Sequence, residues 1–430
     1  MNSPPDPQCL VQHAQVHRDL YCDPALHTLE MQRLFPRSWL FVGHDSQVPG
    51  TGDYITARLG DQQVLMLRRA DGGISVLHNR CAHKGAQLLS GDSGCAGRAL
   101  RCPYHGWSYR LDGSLLGVPL RADYEGSGFD DCPAQQGLTP YGEVAVHRGF
   151  VFARAETHGG TDFVSTMTPI LDAIDLLADR SPEGRLRIAG GVLRTLVHAN
   201  WKIYLENIND AFHPVTAHAS VSQTAQAVWS AQPEGSNKPP AMQQLLPFGS
   251  GYEFFERMGA RVLPHGHSVL GTQQSLHSAY AGIDGYGEAL AAAHGAERAQ
   301  QVLAFAPQNV VAYPTLALKG SPQVMRVLRP LAVDRTLVEA WAFEAVGAPR
   351  QLLAGALLYN RQVFSPMSVV AHDDLHLFEG VQNALPSRGN PWVSLHRGAA
   401  VEAAAPREVS GIDEALLRNQ YRAWAEGMVA

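Results

Sequence analysis

The sequence predicts an α+β chain: a compact all-β domain, then a larger domain in which an antiparallel sheet carries its helices on one side. Short alternating runs separated by Gly-rich turns fill residues 39–155. Blocks of strand-like and helical periodicity follow over 156–430, without the strict alternation of a parallel sheet. Two mixed cysteine–histidine pairs lie inside the all-β part, in loops expected at one end of it. A chain of 430 residues is long enough for two or three such domains.

Residues 1–38 read as an arm followed by a helix, where ALHTLEMQRLFPRSW has helical spacing and stops near Pro36. DYITARLG, QVLMLRRADGG and ISVLHNR read as strands, and EVAVHRGFVFARA as a hairpin turning near Arg148-Gly149. TDFVSTMTPILDAIDLLAD reads as a helix, and LRIAGGVLRTLVHANWK as a strand leading into a helix that begins near Trp201. Residues 231–252, rich in Pro, Gly and Ser, read as a long loop. Strands return at NVVAYPTLALKG, QVMRVLRPLAV and TLVEAWAFEAVG. Two helices follow, at roughly 350–364 and 367–384, then a polar C-terminal tail. No internal repeat is visible.

Hydrophobic residues make up 45% of the chain and charged ones 17%, the balance of a globular protein with large cores. The net charge of −6, with no basic stripe, argues against a nucleic-acid partner. No apolar run is long enough to span a bilayer, and the N-terminus lacks the basic and apolar regions of a secretory signal. A cytoplasmic protein without membrane contact is the expectation. Six cysteines do not make a disulfide framework; Cys9, Cys22, Cys95 and Cys132 have no partner pattern and read as reduced thiols.

The remaining two cysteines carry chemistry. Cys81 and His83 are two apart, eighteen residues intervene, and Cys102 and His105 are three apart. Two thiolates and two imidazoles at this spacing are what a Rieske [2Fe–2S] cluster requires, with the cysteines on one iron and the histidines on the other. A Cys2His2 zinc site is the competing reading. Zinc motifs more often pair like with like, and the Gly/Pro flanks here let backbone N–H groups point at bridging sulfides, so the cluster is favoured.

A second set lies in NWKIYLENINDAFHPVTAH, which offers Glu206, Asn207, Asp210, His213 and His218. A five-residue spacing between the histidines does not stack on a regular helix. Pro214 lies between them and should break or restart the helix, which can bring both imidazoles to one point. Two histidines and a carboxylate form the facial triad of a non-haem Fe(II) site. VVAHDDLHLFEGVQ is the expected source of the carboxylate, with Asp373, Asp374 and Glu379 as candidates.

Together the two constellations resemble the large (α) subunit of Rieske non-haem iron ring-hydroxylating oxygenases, over essentially the whole chain. The resemblance implies a Rieske domain at 39–155, after the arm and helix of 1–38. It implies a helix-grip catalytic domain with an antiparallel sheet at 156–430. It carries Cys81, His83, Cys102 and His105 to the cluster. The family pattern from Asn200 to His218 maps the iron histidines to His213 and His218, with Phe212 where Tyr is common. The family's late carboxylate precedes an E-x-x-Q, which Glu379 and Gln382 match, so Asp374 is preferred over Asp373. Asn207 matches a position beside the iron that does not coordinate it. Asp210 matches an aspartate that links a cluster histidine, here His105, to His213 across the interface of a head-to-tail trimer. Trp107 and Tyr104 are expected to pack around the cluster, and His372 and His376 to be surface histidines flanking Asp374.

The implied reaction is O2-dependent hydroxylation of an aromatic small molecule, as a cis-dihydroxylation of an aromatic acid. Electrons come from NAD(P)H through a flavin reductase, with or without a ferredoxin, because no G-x-G-x-x-G follows a strand in this chain. The assembly implied is a homotrimer, or α3β3 with a small β subunit. Pocket walls are expected from Tyr204, Leu205, residues 220–260 and the strands from Val324 to Trp341. Arg326 and Arg361 are the candidates for holding a substrate carboxylate. A monooxygenase or O-/N-demethylase with the same two centres is the alternative. A pure electron carrier, or a helix-grip binding domain without iron, leaves one or both metal sets unexplained.

Overall fold

The computed structural model describes residues 6–156, 162–277, 283–400 and 404–429. Its backbone divides into two compact units: Phe35–Gly160, and Met1–Leu34 together with Thr161–Ala430.

The first unit is built of short antiparallel sheets. β1 (Leu40–His44), β2 (Asp53–Leu59), β3 (Gln62–Arg68) and β4 (Ile74–His78) lie where the alternating runs predict strands. β2, β3 and β4 pair in order, with Ser93–Cys95 on the far edge of β2. Gly60-Asp61 makes the two-residue β2–β3 turn, with Gly60 at φ +58°. β5 (Leu100–Arg101) and β6 (Ser108–Tyr109) pair beside Leu115–Gly117. The hairpin β7 (Glu143–His147) and β8 (Phe150–Arg154) turns at Arg148-Gly149, both at positive φ, and packs its second strand on β1. One core of Tyr54, Leu65, Leu77, Leu100 and Tyr109 also holds Cys81 and Cys102, so the cysteine loops are fixed to the sheets by burial.

The second unit is an eight-stranded antiparallel sheet packed with helices. β9 (Leu186–Val197) is its first strand, and a glycine pair, Gly190-Gly191, marks the shift in its register with the strand Arg335–Ala345. α1 (Trp201–Asn209), α2 (Pro214–Ala217) and α3 (Ala219–Ser230) follow. β10 (Ala260–Val262), β11 (Ser268–Leu270), β12 (Asn309–Ala312), β13 (Leu316–Lys319), β14 (Val324–Ala332) and β15 (Arg335–Ala345) complete most of the sheet. The order is β9-β15-β14-β13-β12-β11-β10, with Arg407–Val409 at the edge. α4 (Arg350–Phe364) packs on β15, and α1 on β12 and β14. α5 (Ala371–Ala384) starts four residues later than its periodicity suggests, because Ser368 Oγ accepts the N–H groups of Val370 and Ala371 and holds the preceding turn open.

Two sequence expectations are corrected. Residues 231–252 are not one loop: Pro240–Leu245 is helical, Leu246–Gly249 forms a 3₁₀ turn, and a helix begins at Tyr252. The C-terminus is not a polar tail but α6 (Ala415–Gly427), which buries Leu416, Tyr421 and Trp424. No helix among the described residues is long and apolar enough to cross a membrane.

Candidate metal centres

The two cysteine loops of the first unit fold alike. In each, the cysteine C=O accepts the N–H of a glycine four residues on: Gly85 to Cys81 at 3.0 Å and Gly106 to Cys102 at 3.1 Å. In each, the cysteine N–H donates to the residue after that glycine, Ala86 and Trp107, at 2.8 Å. Both glycines sit at φ near +70°, where a side chain is strained, so the motif needs Gly at these positions. Cys81 and Cys102 are 2% and 3% exposed, and Tyr109 Oη lies 3.0 Å from Cys81 Sγ. The imidazoles of His83 and His105 meet edge to face, centroids 4.7 Å apart, and Trp107 stacks on His83. His83 Nδ1 is buried without a hydrogen-bond partner. A buried nitrogen with no hydrogen-bond partner, on an imidazole that meets a second imidazole, fits an iron ligand. Tyr104 and His105 are exposed, so the thiol side is buried and the histidine side faces outward.

In the second unit, α1 begins at Asn200, whose Oδ1 accepts the Lys202 N–H at 3.1 Å, and ends at Asp210, which turns extended at φ −110° and ψ 127°. Asp210 then accepts the N–H groups of Phe212 (2.7 Å) and His213 (3.1 Å), so one carboxylate closes one helix and starts the next. Pro214 opens α2 as its first residue, where no N–H is missed. This break lets His213 and His218 converge, with ring centroids 5.4 Å apart.

His213, His218 and Asp374 place one ligand atom each within 4.8 Å of the others. Nε2 of His213 is 3.8 Å and Nε2 of His218 is 3.5 Å from Asp374 Oδ1. The outer nitrogens have carboxylates of their own. His213 Nδ1 is 3.2 Å from Asp210 Oδ2, and His218 Nδ1 is 3.3 Å from Asp373 Oδ2. A carboxylate at each Nδ1 favours the proton there and turns the Nε2 lone pair inward, the arrangement metal-binding histidines need. The donor set therefore fits a mononuclear metal with three protein ligands. Burial disfavours the charged form of His213, but the hydrogen bond to Asp210 and the charge of Asp374 outweigh it, and its pKa is raised. Burial likewise opposes Asp210, but His213, the Phe212 N–H and the charge of Arg397 hold its carboxyl below the usual range.

Asn207 Nδ2 donates to Asp374 Oδ1 at 3.1 Å and lies 3.0 Å from His213 Nε2, so this amide sits against two of the three donor atoms. Glu379, His372 and His376 are exposed. Gln382 is buried and accepts the Asn200 N–H at 2.9 Å, fastening α5 to the start of α1. Of the two arginine candidates, Arg326 lines the cavity that also holds His213, His218 and Asp374, whereas Arg361 is on the exposed side of α4 and does not line it. The cavity is about 60 Å³ and shares Leu276 and Tyr359 with an adjoining cleft of about 1150 Å³. Sequence reasoning missed Asp373 as a histidine partner and Arg397, which stacks 3.9 Å over Phe212 and reaches to 3.9 Å from Asp210. It also missed Lys319, on the cavity wall. The adjacent Asp373 was visible but read as a rival ligand; Lys319 had no local signal.

Residues 38–128 match the Rieske [2Fe-2S] domain, and residues 174–430 match the ring hydroxylating alpha subunit (catalytic domain). The chain belongs to the ring-hydroxylating α-subunit family. This α subunit is an oxygenase whose cofactors are a Rieske cluster and non-haem iron. It is 28% identical to the toluate 1,2-dioxygenase α subunit of Pseudomonas putida, over 96% of this chain and 90% of that one. It is 26% identical to the anthranilate 1,2-dioxygenase large subunit of Acinetobacter baylyi, over 95% and 88%. In fold it resembles naphthalene 1,2-dioxygenase from Rhodococcus sp., with a TM-score of 0.78 over 96% of this chain and 94% of that one, at 22% identity.

Proposed function

We propose that this α subunit hydroxylates an aromatic acid, with Cys81, His83, Cys102 and His105 holding the cluster and His213, His218 and Asp374 holding the iron. The observation that carries the reading is the convergence of two Nε2 atoms and one carboxylate oxygen beside a cavity, each imidazole held from behind by its own carboxylate. Bound there, iron supplies open positions for O2, and the cluster passes on electrons that a flavin reductase draws from NAD(P)H, directly or through a ferredoxin. The protein's own part is positional. Asp210 and Asp373 fix the tautomer and tilt of the two imidazoles. Asn207 offers an amide N–H beside the donor atoms. Phe248, Leu276 and Phe364 give the cavity apolar walls that exclude water and suit an aromatic ring.

The acid is favoured because toluate and anthranilate, named for two relatives, are aromatic carboxylates, and because the cavity wall carries Arg326. We further propose that the working form is a trimer, alone or as α3β3 with a small β subunit. In it the exposed edge at His105 would meet a neighbouring chain, where Asp210 would bridge it by hydrogen bonds to His213 and so couple that chain's cluster site to the neighbour's iron site. The exposed histidine side of the cluster site supports that role.

A single turnover tests the reaction. The protein is reduced without air, given aromatic acids and neutral arenes, then exposed to O2, and products are weighed by mass spectrometry. Two oxygen atoms and two hydrogens added to one acid is the expected result. One oxygen added, or a methyl group lost, would assign monooxygenation or demethylation at the same centre.

A further inference from the structure

We propose that Lys319 and Arg326 together form the subsite that grips the substrate's carboxylate, so that the acid is held by two cations and not by one arginine. This rests on the reading of the adjoining cavity as the place where an aromatic substrate reacts.

Strand register puts the two side chains on one face. Lys319 of β13 pairs with Val324 of β14, and Ala317 pairs with Arg326, so Lys319 and Arg326 are diagonal neighbours. Val324 lies directly opposite Lys319, but the other neighbours on these strands are alanines: Ala317, and on β15 Ala340 opposite Arg326 and Ala342 opposite Val324. Two long cationic side chains therefore stand over a shallow floor and line the cavity that holds the three metal-facing residues.

Both are buried, Lys319 at 4% and Arg326 at 5% exposure, and among the described residues neither meets a carboxylate. Lys319 Nζ donates to the Gln308 carbonyl at 3.0 Å, which leaves other ammonium protons to place. Arg326 Nη2 donates to Asn309 Oδ1 at 2.6 Å, and its guanidinium lies 4.7 Å from the Phe364 ring centroid. Three other buried cations of this unit have acidic partners, Lys202 with Glu30, Arg329 with Glu339 and Arg418 with Asp413, while Arg180 bonds to the Gly320 and Phe305 carbonyls. Two adjacent buried cations without a counter-charge are costly unless something anionic completes them. Burial, and then the charge of Arg326, push the Lys319 amine well below its ordinary value. An arriving carboxylate supplies the missing charge to both. Neutral groups of the same shape gain nothing from it, so the pair also selects.

The test measures equilibrium binding to the metal-loaded oxygenase without O2. The probes are benzoate, 2-hydroxybenzoate and benzene-1,4-dicarboxylate, each beside its neutral amide. The native protein should bind at least one acid about tenfold or more tighter than its amide, as one charge-assisted contact allows. Lys319→Met should cut that acid's affinity about tenfold while leaving the amide within about twofold, and Lys319→Arg should restore most of it. Retained amide binding and retained iron content report that the unit carrying Lys319 is folded in each variant. An unchanged acid-to-amide ratio in Lys319→Met, amides bound as tightly as acids by the native protein, or no acid bound at all would each overturn the subsite. Hydroxylation of neutral arenes in the same samples would then still uphold the aromatic-oxygenase reading, and its absence with every compound would count against that reading instead.

Discussion

Asp373 and Asp374 are adjacent in sequence, and the structure gives them different work. Asp374 turns its Oδ1 to the two Nε2 atoms, whereas Asp373 sits behind His218 at Nδ1. Replacing Asp374 with Ala should remove a metal donor outright, so iron bound at this site is lost while the cluster spectrum stays. Asp373→Ala should instead leave three donors with one badly held imidazole, weakening Fe(II) binding about 10- to 100-fold. Competition with a chelator separates the two variants; native iron affinity in Asp373→Ala would show that His218 is oriented by something else. At the other centre, Tyr109→Phe removes the hydroxyl 3.0 Å from Cys81 Sγ. Hydrogen bonds to cluster sulfurs favour the reduced, more negative state. A loss of about 1.4 kcal/mol corresponds to a fall of about 60 mV for one electron, readable by redox titration. Most of these residues were legible beforehand because their spacing is local: two or three residues within each cysteine loop, five between the histidines. Lys319 was not, because its neighbour Arg326 is reached only through strand pairing, and no window of sequence shows which face a residue takes.

At the scale of elements, α1 and α6 enclose a buried acid that the metal chemistry does not use. Glu206 accepts a hydrogen bond from Tyr21 Oη at 2.6 Å and another from Tyr421 Oη on α6. Burial raises its pKa to about 7, against the pull of both tyrosines, from an ordinary value of 4.5. A raised carboxyl stabilises the fold fully below pH 4.5, and that contribution fades as pH rises through about 7. The gap corresponds to about 3 kcal/mol. Glu206→Gln keeps the accepting oxygen and cannot ionise. Its stability relative to the native protein should therefore climb between pH 5 and 8, seen as diverging urea midpoints; parallel midpoints would mean that the acid does not change ionisation on folding. The helix that supplies Tyr421 was invisible in the sequence for a related reason. Arg418, Asn419 and Gln420 make its first turns look like a polar tail, yet all three are buried and hydrogen-bonded. Asn419 donates to the Leu263 and His267 carbonyls, and Gln420 accepts from Asn209. A polar pattern signals exposure only when the partners that bury it are far away, and here they were brought by the fold. The strands were easier: their Gly turns and alternation are local, and even the two-residue turn at Arg148-Gly149 falls where expected.

At the scale of the whole molecule, one chain carries both metal sets, in two separately compact units. The trimer proposal says that a chain's cluster serves its neighbour's iron. Two defective chains then make a decisive pair. Cys102→Ser disables the cluster and leaves His213, His218 and Asp374 intact; Asp374→Ala disables the iron site and leaves the cluster intact. Each alone should be inactive. Co-expressed in equal amounts, they assort into rings, and about three-quarters of those are mixed. In a head-to-tail ring, any mixed composition places one intact cluster beside one intact iron in the productive order. One site in three then works, so purified mixed rings should recover about a third of the native rate, against about a quarter for the unselected population. Transfer within a chain predicts no recovery, because no single chain in the mixture holds both centres. Steady-state hydroxylation by purified mixed rings, selected with two different tags, distinguishes the two. Adding Asp210→Asn only to the iron-bearing partner should lower the recovered rate, since that chain's aspartate is the proposed bridge to His213. Adding it only to the cluster-bearing partner should leave the rate unchanged, and the opposite pattern would place the aspartate on the donating side.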